Sequence, residues 1–223
     1  MKRPDARRVT AEWAAHFPEL TIVQPRLLLR RFGPIVQGIT LEDYGAHYFA
    51  TAHVHALTTE SPTVYLSLGR RATLGQGHGT AVDTAAKPEL LARLAAALRE
   101  QSAPLLDPDA GLVEFLDVYR KFVIKWRGRD PRAYHELRDL VLLPTAAGLA
   151  DLAAEAFELA VDISQGWSKF DAPMGWDTTA DWLDELRARM SDVDALRATV
   201  NAEVTEHGLG SVPDSAAVVR QDS

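Results

Sequence analysis

The stretch HYFATAHVHAL (47–57) decides the fold. Its even positions, Tyr48, Ala50, Ala52, Val54 and Ala56, are mostly apolar, while the odd ones include His47, His53 and His55. Successive side chains of a strand point to opposite faces, so this alternation predicts a β-strand with an apolar face toward a layer of helices and its histidines on the outer face.

Working outward, RLLLRRF (26–32), IVQGITLE (35–42) and TVYLSL (63–68) are rich in β-branched, aromatic and aliphatic residues and are separated by GP, DYGA and TTESP. Four strands joined by short turns make an antiparallel meander, because parallel neighbours need long crossovers. Upstream, Val9, Trp13 and Phe17 recur every four residues before Pro18, which predicts a short helix to pack on that sheet.

Downstream, GRRATLGQGHGTAVDTAAK (69–87) holds four of the fourteen glycines and no apolar periodicity, and reads as a mobile connection. Helices are expected over 88–101, 110–125, 131–143, 145–165 and 178–207, with proline at the first position of the first and third. On the last, Trp182, Leu186, Met190, Val193, Leu196, Val200 and Val204 form one stripe suited to core packing or to a helix-pair seam between two copies. The tail from Ser211 has no pattern and is expected to fray. The expected whole is one compact α+β domain of 223 residues. It has an N-terminal helix and four-stranded antiparallel sheet over 1–71, a glycine-rich connection over 72–87, and a helical C-terminal bundle over 88–210 packed on one sheet face.

With 47% hydrophobic and 25% charged residues the composition is globular, and no stretch approaches the roughly 20 apolar residues of a membrane span. The absence of cysteine removes disulfides, thiol nucleophiles and thiolate metal sites, and a cytoplasmic protein is the simplest reading. The net charge of −7 is uneven: nine bases face six acids up to Arg71, and fifteen face twenty-five after it. An acidic C-terminal part argues against gripping a nucleic-acid backbone and suits a basic protein partner, or simply solubility.

Three sets of residues are candidates for chemistry. His53 and His55 share a strand face and could offer two zinc ligands, but His47 lies about 20 Å along the strand from His53 and no cysteine or carboxylate accompanies them. Two surface histidines is the plainer reading. The loop GQGHGT follows a strand, so Gly75, Gly77 and His78 beside Arg70 and Arg71 could hold a phosphate or carboxylate. Its spacing, however, is neither GxGxxG nor a P-loop, and no nucleotide or other cofactor is implied. No G-x-S-x-G, H-E-x-x-H or paired Glu-x-x-His occurs.

The third set is electrostatic. Asp151, Glu155, Glu158 and Asp162 stand four, three and four residues apart, which lines them along one helix face. Either the stripe faces water and the cluster Arg127, Arg129, Arg132 and Arg138, or it is a surface that captures a basic partner. Asp181, Asp184, Glu185, Asp192 and Asp194 would extend it.

The succession LLLRRFGPIVQGITLE, HVHAL, VYLSL and EQSAPLLD, behind a leading helix with an aromatic stripe, resembles small uncharacterised α+β families of the bacterial polymorphic-toxin immunity type over about residues 7–122. That resemblance implies a non-enzymatic protein that binds and neutralises a partner toxin, with acidic helices suited to a basic, nuclease-like target. It carries over no catalytic residues, and the helical part from Arg129 departs from those shorter families. The expected function is therefore a cytoplasmic interaction protein masking a basic partner. An enzyme or binding protein for an anionic small molecule at Arg70, Arg71 and His78, and a self-associating adaptor using the last helix, remain as alternatives.

Overall fold

A computed structural model describes residues 3–127, 133–167 and 172–216. Arg129, Arg132 and the beginning of the third predicted helix at Pro131 lie outside these, as does the tail beyond Ala216. The chain is α+β and divides into two units, one of residues 1–55, 63–111 and 207–223, the other of 56–62 and 112–206.

The first unit is built on an antiparallel sheet in the order β1-β2-β3-β4-β5, with β6 also paired to β4. The strands are β1 (Thr21–Gln24), β2 (Leu27–Phe32), β3 (Ile35–Tyr44), β4 (His47–Ala56), β5 (Ser67–Arg71) and β6 (Val82–Asp83). The meander is as expected in kind, but has more strands than the four anticipated. Thr21–Gln24 is too short to show a period, and the fourth expected strand begins at Ser67 rather than Thr63. The glycine-rich connection also supplies a strand: Val82 and Asp83 pair with Tyr48 and His47.

Helix α1 (Arg3–Ala14) and helix α2 (Pro88–Gln101) contribute to the core of this unit. Val9, Trp13, Leu91, Leu94 and Leu98 pack with Leu28, Ile39, Leu41, Tyr48, Ala50 and Ala52, all of them buried. Trp13 donates its indole N–H to the Tyr48 hydroxyl at 3.0 Å, which satisfies two polar atoms inside an apolar layer. The even face of β4 is thus the core face, as its alternation requires. After α1 the stripe continues through Phe17 in a turn, because Pro18 ends the helical pattern.

The second unit holds α3 (Leu112–Trp126), α4 (Tyr134–Ala147), α5 (Ala150–Ser164), α6 (Thr179–Ser191) and α7 (Val193–Glu206). Helix α4 touches each of the other four, and Leu137 and every residue from Asp139 to Ala146 are buried. A helix apolar on all sides is one that is surrounded. It runs through Pro144, where the sequence suggested a break, and stops at Gly148. Gly148, at φ +79°, donates to the Thr145 carbonyl at 3.0 Å, and Leu149 donates to that of Pro144 at 2.8 Å, the two bonds of a Schellman cap.

The single helix expected over 178–207 is two. Asp192 interrupts it, and its carboxylate accepts the Ala195 N–H at 2.9 Å, capping α7. Of the apolar stripe, Trp182, Leu186, Leu196 and Val200 are buried and Met190, Val193 and Val204 half-buried. The Trp182 ring packs 5.4 Å from that of Trp167. No helix among the described residues is long and apolar enough to cross a membrane.

Candidate functional site

The sequence of α5, ADLAAEAFELAVDIS, is rich in alanine, the best helix former, and its Ala153, Ala156, Phe157, Ala160 and Ile163 are buried. The acids occupy the opposite side: Asp151, Glu155, Glu158 and Asp162 are all exposed. Two of them have cations on α3 or just after it. Arg120 lies 3.2 Å from Glu155, and Arg127 lies 2.9 Å from Asp162. Arg127 was among the bases anticipated; Arg120 was not. The readable signal is that the two arginines are seven residues apart, as are the two acids they meet. Of the other anticipated bases, Arg138 instead pairs with Asp139.

Asp151 and Glu158 form no ion pair among the described residues. Asp151 gains from the positive end of its own helix, being in the first turn. Glu158 has no such offset.

The acids of α6 are also exposed but serve the helix locally. Asp181 and Thr178 exchange side-chain to backbone bonds in a capping box. Asp184 pairs with Arg187 at 2.6 Å, and Glu185 accepts the Trp176 indole N–H at 2.7 Å. Arg187 in turn lies over the Phe157 ring of α5, 5.0 Å from its centre, so α5 and α6 present adjoining surfaces. Asp194 stands 4.0 Å from Arg197, at the limit of an ion pair.

At the glycine loop the arrangement is less favourable to a ligand. Arg71 makes a two-pronged contact with Glu42 at 3.2 and 2.7 Å, bonds the Tyr44 hydroxyl at 2.9 Å and covers the Phe49 ring at 4.6 Å. Hydrogen bonding to Glu42 pushes its pKa up. Burial works against the Glu42 charge, yet the bonds from Arg71 and Thr51 outweigh it and hold that carboxyl below its ordinary value. An anion at Arg71 must compete with this carboxylate. The loop itself is closed by Thr80 N–H on the Ala72 carbonyl and by Gln101, which bonds both backbone groups of Thr73. Arg70, Gly75, Gly77 and His78 are exposed.

The histidines are not on a surface. His53 and His55 are buried, because β4 lies within the sheet and both its faces are covered. Only His47, at the strand's start, is exposed. His53 Nε2 sits 2.9 Å from the Thr40 hydroxyl. Burial, helped by the neighbouring His55, pushes its pKa down to about 3, so it is neutral at any physiological pH. His55 Nδ1 accepts the Tyr65 N–H at 3.1 Å.

No family model, curated protein or solved structure matches the chain. The reading of function therefore rests on the chain's own residues, including two groups the sequence did not expose. Asp139, between α4 and its neighbours, is buried and has its pKa raised to about 6 by burial, against the pull of Arg138 at 3.4 Å. The buried Tyr119 hydroxyl has no hydrogen-bond partner among the described residues. An open groove of about 280 Å³ between α6 and α7 is lined by Ala188, Asp192, Leu196 and Arg189, but that arginine is committed to the Thr58 carbonyl and the Thr59 hydroxyl.

The two units divide the charge. Residues 56–62 and 112–206 carry nineteen acids against eleven bases, a net −8, and the remainder twelve against thirteen, a net +1.

Proposed function

We propose that this is a non-enzymatic protein-binding protein of the immunity or accessory type, which masks a basic partner through the acidic surface of its helical unit. The observation that carries the reading is the segregation of charge: the whole excess of acid lies in one unit, and the carboxylates of α5 and α6 are exposed there. A surface of one sign raises the local concentration of an oppositely charged partner and speeds its capture. A cytoplasmic location, beside a partner made in the same cell, belongs to this reading.

Within that surface, Asp151 and Glu158 carry the binding role. Glu155 and Asp162 are each shared with an arginine, and Asp181 caps α6, so reversing any of these alters a contact within the unit as well as the field. The small-anion alternative is weakened by the commitment of Arg71 to Glu42. Self-association through the last helices is weakened by the burial of Trp182, Leu186 and Leu196.

The test is capture by tagged full-length protein from extract of its native host at low and at physiological salt, beside the Asp151→Lys, Glu158→Lys variant. A basic protein held by the wild type, shed as salt rises and lost by the variant supports the proposal. Equal retention by both removes this surface from consideration.

A further inference from the structure

We propose that Met174 is a site of reversible oxidation, at which a hydroperoxide turns an apolar projection of the helical unit into a polar one while the fold stays intact. Among the described residues Met174 is the most exposed large apolar side chain, at 85%, with Tyr44 next at 58%. Its place follows from the sequence PMGW (173–176). Trp176 donates its N–H to the Pro173 carbonyl at 3.1 Å, and Gly175 has φ +99°, the left-handed conformation that this position of the turn requires and that glycine adopts without strain. Met174 is thereby held at the tip. The turn is fastened behind it, because the Trp176 indole N–H donates to Glu185 of α6 at 2.7 Å and the capping box at Thr178 follows directly.

The chemistry is that of the thioether. The chain has no cysteine, so no thiol of its own competes for an oxidant. Of its three methionines, Met190 is half-buried on α6 and Met1 lies outside the described residues. The Met174 sulfur attacks one oxygen of the peroxide, and the O–O bond breaks as the S–O bond forms. The sulfur gives up two electrons, and the proton of the transferred hydroxyl passes to the departing oxygen, which leaves as water or as an alcohol. A dithiol-dependent methionine sulfoxide reductase reverses the change: the oxygen leaves as water while two thiols become a disulfide.

The product is polar and chiral where the thioether was apolar and polarizable. Because the side chain already stands in water, the added oxygen displaces no packing, and the effect falls on the surface two residues from the Trp176–Glu185 contact.

The experiment is stepwise hydrogen peroxide treatment of the full-length protein, followed by peptide mapping, thermal melts and hydrophobic-interaction chromatography. Met174 should take up one oxygen about tenfold or more faster than Met190, with Tm unchanged and earlier elution from the hydrophobic matrix. Methionine sulfoxide reductases for both epimers, supplied with dithiothreitol, should restore the original mass and elution. Met174→Leu, which keeps an apolar side chain of similar size, should lose the elution shift. Equal rates at Met174 and Met190, a sulfoxide that the reductases leave in place, or an elution shift that survives in Met174→Leu overturns the site. A Tm that falls as Met174 is oxidised also overturns it, since the change is then a packing lesion rather than a reversible change of surface.

Discussion

The Arg127 guanidinium lies 2.9 Å from the Asp162 carboxylate, with both side chains about half exposed, so the last acid of the α5 stripe already has a cation within its own unit. Exposed pairs of this kind stabilise by about 0–1 kcal/mol. Asp162→Asn and Glu155→Gln should therefore each change unfolding free energy by less than about 1 kcal/mol. Urea denaturation checks this, and a larger loss would mean the stripe is a structural element rather than a surface held for a partner.

The same pair shows how far the sequence could be read. The spacing of Asp151, Glu155, Glu158 and Asp162 placed them on one face, and that face is exposed. Of their partners Arg127 was anticipated and Arg120 was not, because which helix lies beside α5 depends on packing around α4. The alternation in 47–57 located β4 and its core face, yet said nothing of what covers the other face, and so placed His53 and His55 in solvent. Pro144 read as a stop because a lone proline usually costs a helix dearly, while burial along α4 and the cap at Gly148 were invisible. The break at Asp192 was missed because an acid at a cap and an acid on a solvated face look alike in a stripe of apolar residues. The motif MSDVDA did contain a good capping residue.

Gly38 sits opposite Leu29 in the β2–β3 ladder, and a Cβ there would fall 1.9 Å from the Leu28 carbonyl oxygen. The obstruction is backbone on a paired strand and cannot rotate away. Gly38→Ala should cost about 3 kcal/mol or more, against about 0.5–1 kcal/mol gained where glycine is replaced harmlessly. A thermal melt of the variant at or above the wild-type Tm would show that the strands separate more easily than this geometry allows.

Asp192 joins α6 to α7 through one side-chain bond to the Ala195 N–H. Removing it in Asp192→Ala should lower stability by about 1 kcal/mol, and Asp192→Asn or Asp192→Ser should restore most of it. If all three variants unfold at the same denaturant concentration, the cap is not what divides the helix.

Two buried groups give the units opposite responses to acid. His53, lowered to about 3 against 6.5 in the unfolded chain, stays neutral in the folded state while the unfolded state takes up a proton. Below about pH 6.5 and down to about 3, the sheet unit should therefore lose about 1.4 kcal/mol per pH unit from this group. Asp139 is raised to about 6 from 3.8, so between these values the folded state holds a proton the unfolded state has released. Its contribution is present below about pH 4 and is lost as pH rises through 6. Urea titrations at pH 7 and pH 5, compared between the wild type and each of His53→Gln and Asp139→Asn, separate the two. His53→Gln should flatten the loss on acidification, since glutamine does not titrate. Asp139→Asn should steepen it by removing the opposing term. Wild-type pH dependence retained in both variants would mean that neither group's burial persists in solution, and would move the acid response to the exposed carboxylates of the helical unit.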